Sequence, residues 1–400
     1  MEMLISFVIQ IADKINILGK IRLLDVFLLC ITVYIIFKSK GVIKTSFRAI
    51  WIISIIRIIY IWATLFFLRV GDISQYLSIG YYIEFLLIFY IAENGELSFD
   101  KLWNIGLVIL ILNSIIAIFQ FVTSGGVERG YGFVGSASGT YALPYIIYTV
   151  FNYKKVDIKH KIAVILAIVS ILVSLQRTLI IITFMGITLY MVVEKSSHKY
   201  ILFIKRTVGI VLISIIIWIL IPMELKETII NRFKLVFTAS KSLDINDSMQ
   251  IRYSIWEVAM NLFYKNPIIG IGSGGFSRLT IEQFSANISR AFSISSVGLS
   301  THNNFIEYLC EIGVIGTILT YGLCIITIKK IIVRAKRYSI QGGIYQSLLA
   351  TVIALTLYDF IGQGSFFPFW SYNLMLLIVY LRCTIDNINI QNKKGELYNE

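Results

Sequence analysis

Long apolar runs separated by short polar stretches dominate this chain. Eleven are readable as helical spans, at about 23–37, 47–68, 76–92, 102–122, 138–152, 161–175, 178–193, 207–222, 304–327, 344–360 and 366–382. Several fall short of the roughly 20 residues that cross a bilayer, so their edges are soft. None shows the alternating ten-residue pattern of a transmembrane barrel strand. The pattern therefore predicts an all-α polytopic membrane protein of eleven or twelve transmembrane helices. One polar stretch, 223–303, is far longer than the others and is read as a loop.

The positive charges orient these spans. Lys38, Lys40, Lys44 and Arg48 fill one loop. Lys154, Lys155, Lys159 and Lys161 fill a second, and Lys195, Lys199, Lys205 and Arg206 a third. Lys329, Lys330, Arg334, Lys336 and Arg337 fill a fourth. Cytoplasmic loops collect Lys and Arg. Placing all four inside lets every intervening span alternate and leaves the tail after Arg382 inside. The loops at 69–75, 123–137, 176–177, 223–303 and 361–365 then face outward. An N-terminus that is also inside requires a twelfth, short span over 3–18. Asp13, Lys14, Lys20 and Arg22 weaken that span, and a helix lying flat on the membrane is the alternative. We expect an N-terminal bundle (1–222), an extracytoplasmic loop (223–303), C-terminal helices (304–382) and a cytoplasmic tail (383–400).

Composition agrees. Hydrophobic residues are 57% of the 400 and charged residues 15%, below the quarter usual in soluble domains. The net charge of +13 could suggest nucleic acid, but basic cytoplasmic loops account for it, and no nucleic-acid partner is expected. Cys30, Cys310, Cys324 and Cys383 show neither zinc-ligand spacing nor a disulfide framework, and no metal or cofactor is expected. The first 18 residues lack a small-residue cleavage site and are not read as a removable signal peptide.

The outward loops carry isolated arginines. Arg129 lies in a glycine-rich stretch, Gly125 to Phe133, where the chain could approach a ligand closely. Arg177 stands in a two-residue turn, and Arg252 opens Arg252-Tyr253-Ser254-Ile255-Trp256. An arginine at a span end can simply snorkel, and the other two could be solvated. The guanidinium fork also suits phosphate, and three such residues on one side are more telling than one. The run Gly270-Ile271-Gly272-Ser273-Gly274-Gly275 resembles a nucleotide loop only superficially: no strand precedes it and no P-loop Lys follows. A tight turn shaping the outer loop is the better reading.

At the end of that loop stands His302-Asn303, followed nine residues later by Gly313 and then by Gly316. A histidine at a helix start can be a polar cap or a general base, and the positive end of the helix dipole favours its neutral form. Gly313 and Gly316, one turn apart, would let a neighbour pack closely. Glu307 and Glu311 share a face, and carboxylates in a membrane helix usually meet a cavity or a partner. Asp359 ends a span on the same side. Arg57 and Glu84, mid-span in adjacent helices, are expected to form a buried structural ion pair.

These residues resemble the O-antigen ligase and O-antigen polymerase superfamily. The resemblance covers His302-Asn303, Gly313 and Gly316, the approach Arg252, Trp256, Asn266-Pro267 and Gly270-Ile271-Gly272, and more loosely Arg177 and Arg129-Gly130. It extends to the long outer loop before the histidine helix. It implies a fold akin to C-type glycosyltransferases in the bacterial plasma (inner) membrane, with its active site facing outward. The implied donor is an undecaprenyl-pyrophosphate-linked oligosaccharide, with no cofactor; a flippase and a chain-length regulator are possible partners. His302 would be the catalytic base and Arg177, Arg252 and Arg129 the pyrophosphate contacts. Asn303, Glu311, Gly313, Gly316, Gly270 and Gly272 would support the site. The pattern does not separate a polymerase of capsule or O-antigen repeats from a ligase that passes the glycan to a final acceptor. The chain's abundant Ile, Lys and Asn lean toward polymerase. A lipid-linked glycan transporter is the competing class, but it should show polar residues along a continuous path and an inverted repeat, and neither is evident.

Overall fold

The computed structural model describes residues 16–18, 21–38, 48–70, 76, 80–125, 130–133, 138–174, 177–194, 223, 226–227, 248–279, 300–360 and 366–397. The expected span at 207–222 and Arg129 lie outside the described residues, as does most of the possible short span at 3–18.

Ten expected spans are helices. They are α1 (Leu23–Lys38), α2 (Arg48–Phe67), α3 (Gly80–Asn94), α4 (Phe99–Thr123), α5 (Ser138–Asn152), α6 (Ile158–Val173) and α7 (Arg177–Glu194), then α9 (Asn304–Arg337), α10 (Gly343–Tyr358) and α11 (Phe366–Leu397). The long polar stretch adds α8 (Ser248–Lys265) and a 3-10 turn, Phe276–Arg278. Among the described residues the only strands are an antiparallel pair, Asn16–Leu18 and Ile21–Arg22. Helices α2, α4 and α9 are each long and apolar enough to cross a membrane unaided, and Val26–Lys38, Leu179–Val193 and Gly343–Tyr358 are shorter apolar helices. The chain is a membrane protein with an α-helical fold.

Two spans run past their expected ends. α9 extends to Arg337 and α11 to Leu397; after 327 the run is rich in Lys and Arg, good helix formers, with no Gly or Pro until Gly342. At 34 residues a straight α9 would measure about 51 Å, well beyond a hydrocarbon core of about 30 Å. It is not straight: Gly313, at φ 63 and ψ −172, divides it.

Polarity inverts along α2. Ile52, Ile55, Ile59, Trp62 and Phe66 are exposed, whereas Ser54, Arg57 and Thr64 are buried. Apolar side chains facing outward and polar ones facing inward suit a helix whose surroundings are lipid. Arg57 and Glu84 are both buried, on the packed helices α2 and α3. The interior is centred on α10, which packs against α5, α7 and α11, while α4 lies on α6 and α11 on α3. Trp370, Tyr145, Tyr372, Phe85 and Phe89 fill that centre.

One end of the bundle is basic. Lys38 pairs with Glu96, and Arg334 reaches Glu93 at 3.8 Å. Arg382 donates to the carbonyls of Ala92 (2.9 Å), Gly95 and Leu97 (2.6 Å), closing the end of α3. Trp103 Nε1 donates to His160 Nε2 at 2.9 Å, and Asp157 caps α6 by accepting from the His160 amide. These contacts bring to one end Lys154 to Lys161 around the start of α6, the last turns of α9 with Lys329 to Arg337, and Lys38 at the end of α1. A charge pattern read along the sequence is thereby a property of one face of the fold.

Candidate functional site

At the opposite end the start of α9 meets the end of α10. Asn303 caps α9: its Oδ1 accepts from the Ile306 amide at 3.1 Å, and its Nδ2 donates to the Phe360 carbonyl at 3.1 Å. Asn304 donates to Asp359, and Tyr321 donates to the same carboxylate at 2.7 Å. Tyr321 also stacks on Phe360 with ring centroids 4.4 Å apart. Arg57 lies within electrostatic reach of Asp359 and Tyr321. The start of α9 is thus pinned to the end of α10 over a buried polar cluster.

His302 precedes that pinned start. Its neighbours Thr301 and Asn303 are buried, while His302 itself is exposed. The Thr301 hydroxyl shares its proton between the Asn303 carbonyl (2.7 Å) and Glu307 (2.9 Å). Trp256 Nε1 donates to the Thr301 carbonyl at 2.7 Å. His302 has φ 54, a left-handed conformation that costs a non-glycine residue on the order of 1–2 kcal/mol. Anchors on both sides hold it there, with the imidazole turned out of the packed surface. Strain held by its surroundings is a common mark of functional positions.

Trp256 brings Arg252 to the same place. The two lie four apart on α8 and so share a face, one turn from the Thr301 contact. Arg252 is partly buried, and among the described residues no carboxylate pairs with it. The other face of α8 is apolar: Ile255 and Ala259 pack with Phe276 and Cys310 of α9.

Arg177 is the first residue of α7. The backbone places this terminus at the site end. Trp370 donates to Thr356 near the end of α10 (3.0 Å), Tyr372 packs on Tyr141 at the start of α5 (5.2 Å), and Gly139 lies against Leu179. The Gly130 amide donates to the Val173 carbonyl at 3.4 Å, seating Gly130 against the end of α6. The structure therefore ties the helix that carries Arg252 to the residue preceding His302 and puts the backbone of Arg177 at the same end.

The two motif glycines behave differently from a simple notch. The break at Gly313 strips α9 of internal hydrogen bonds, and the glycine run replaces them. Ile271 N donates to Cys310 O (2.9 Å), Gly272 N to Glu311 O (2.8 Å), and Val314 N to Pro267 O (2.9 Å). Tyr60 Oη reaches both Ile268 O (3.1 Å) and Ile312 O (3.0 Å). The Glu311 carboxylate accepts from Gly274 N (2.8 Å) and Phe276 N (3.0 Å). Gly270, at φ 71, has no room for a Cβ against the Cys310 and Glu311 backbone, nor has Gly313 against Ile268. The neighbour that Gly313 admits is thus a loop backbone docked into a broken helix. Gly316 lies nearest to the Ile312 side chain of its own helix. Sequence reasoning missed Tyr60, Asn304 and Tyr321; a lone tyrosine amid the isoleucines of α2 was the available signal for the first.

Residues 162–321 match the family model described as O-antigen ligase. That stretch is similar to the O-antigen ligase family and covers less than half of the chain. No curated protein matches it. The matched stretch runs from α6 to the middle of α9 and contains Arg177, Arg252, the glycine run, His302, Gly313 and Gly316. Tyr60 and Asp359 come from outside it and hydrogen-bond to residues within it. Among the described residues no three His, Cys, Asp or Glu side chains are grouped as metal ligands. What the matched stretch presents at this end is an imidazole and a guanidinium on separately anchored segments, groups chemically suited to accepting a proton and to meeting an anion.

Proposed function

We propose that this O-antigen ligase-family protein polymerises oligosaccharide repeat units linked to undecaprenyl pyrophosphate, at the outer leaflet of the bacterial plasma membrane. The observation that carries the reading is His302, exposed and held in a left-handed conformation at the cap of α9, with α8, the helix of Arg252, tied to the preceding residue by the Trp256–Thr301 hydrogen bond. The acceptor sugar hydroxyl attacks the anomeric carbon of the donor with inversion. Its proton passes to His302 Nδ1 or Nε2 as the new C–O bond forms. The anomeric C–O bond to pyrophosphate breaks, and its electrons leave on the pyrophosphate. Pyrophosphate needs no strong acid to depart; it needs positive charge where oxygen charge develops. Arg252 and Arg177 supply it, with Arg129 third. Segregated charge supports the orientation: the basic end lies in the cytoplasm and the His302 end outside.

Deleting the gene and resolving the surface polysaccharide by size tests this reading. Collapse of a long ladder to single-repeat glycans is expected. Long chains stranded on the lipid carrier would identify a ligase, and an unchanged profile would overturn glycosyl transfer. Complementation with His302→Ala should fail, with a rate loss of roughly 10²–10⁴-fold for an absent base; full complementation would remove the base assignment.

A further inference from the structure

We infer that Glu311 is a positioning residue, which holds the glycine loop in the break of α9 and thereby fixes Arg252 relative to His302. The inference rests on the proposed pyrophosphate contact at Arg252. Glu311 is nearly fully buried, and its two carboxylate oxygens are engaged by two amides of one loop, Gly274 N and Phe276 N. That loop follows α8 directly: Lys265 ends the helix, and Asn266 caps it by donating to the Leu262 and Phe263 carbonyls. Phe276, whose amide Glu311 holds, also packs in the apolar cluster with Ile255 and Ala259 of α8. The carboxylate therefore clamps the loop and, through Phe276, the α8 face that lies against α9. Arg252 sits on the first turns of α8, so a small rotation of α8 about its Glu311-held end moves the guanidinium most.

Each link depends on a different chemistry. The docked amides of Ile271 and Gly272 answer carbonyls freed by the break, and they would accept any sequence able to adopt the loop. The Glu311 bonds are charge-assisted and join side chain to loop, so they set which loop conformation docks. Tyr60 adds a second clasp from α2, on the outer side of the same break. A glutamine at 311 can accept through one oxygen only and turns an N–H₂ donor toward an amide donor, so it opens one of the two bonds without changing side-chain size. Tyr60→Phe removes only the hydroxyl and serves as the milder variant.

The test uses the full-length protein in nanodiscs, with undecaprenyl pyrophosphate as the binding probe and hydrogen exchange over 266–279 and 300–312 as the structural readout. In Glu311→Gln we expect the Gly274 and Phe276 amides to exchange at least ~10-fold faster while 314–337 stays protected, and undecaprenyl pyrophosphate to bind ~10-fold more weakly. Tyr60→Phe should shift both readouts in the same direction by a smaller factor. Arg252→Ala is measured alongside. Loss of binding in Arg252→Ala with unchanged binding in Glu311→Gln would overturn the inference alone. Unchanged binding in Arg252→Ala would overturn the pyrophosphate contact and the inference with it. Amides that stay protected in Glu311→Gln would show that the carboxylate does not hold the loop. If Glu311→Gln fails to fold, Tyr60→Phe decides, and an open loop with unaltered binding refutes the positioning role.

Discussion

Gly313→Ala isolates the break in α9. At φ 63 and ψ −172 the residue sits where only glycine is at ease, and an alanine there carries strain of about 1–3 kcal/mol. Its Cβ would also press on the Ile268 carbonyl and on Ile269 N at 2.7 Å, and overpacking of this kind costs about 1–3 kcal/mol. The chain could escape by straightening α9. It would then expel the loop and forfeit the bonds from Ile271, Gly272 and Val314, each worth about 1 kcal/mol, together with the amide partners of a buried Glu311. Either route leads to a loss of about 3 kcal/mol. Gly322→Ala on the same helix is the control, since a Cβ there meets nothing within 4 Å, and alanine favours helix by about 1 kcal/mol. Unfolding followed in detergent, with polysaccharide length scored in parallel, should separate the two by at least ~2 kcal/mol. Equal stability of the two variants would refute the latch as described.

Two more perturbations test other parts of the fold. Tyr321→Phe deprives the buried Asp359 of a donor and should cost about 2 kcal/mol, measured as a drop in the thermal midpoint; an unshifted midpoint would mean that the carboxylate has other sufficient partners. At the opposite end, hydrogen bonds from the His160 amide and ring hold Asp157 below its ordinary value of 3.8. A depressed carboxylate stabilises the fold above its unfolded value and loses that contribution as pH falls through the folded one. The stability gap between wild type and Asp157→Asn should therefore be full at pH 6 and close below about pH 3.8, and a gap independent of pH would contradict the capping role.

The bundle was legible because lipid imposes simple rules: apolar runs become helices, and basic loops share a face. Ten of the expected spans are helices on those grounds alone. Helix ends were less visible, since polar residues after 327 and 382 continue a helix as readily as they leave one. The unexpected α8 shows the same ambiguity. Its apolar stripe of Ile255 and Ala259 is too narrow to read as a span, yet it suffices to cover Cys310 and Phe276. At the site, the residue types were readable and their connections were not. Gly313 and Gly270 announced close approach, but whether a helix or a loop would approach depends on a backbone angle that composition does not encode. Glu311 looked like one of two carboxylates on a helix face; its partners are main-chain amides, which every residue carries and no motif marks.

The nine-residue gap between Asn303 and Gly313 acquires a meaning from this construction. Ten residues of helix set the break about 15 Å below the cap, and each residue turns the rod by about 100°. The imidazole is clocked from one end of that rod and the loop from the other. Side chains between them can vary in identity as long as their number does not: a single inserted residue would turn His302 away from Arg252 by more than a quarter of a circle while leaving every local contact possible.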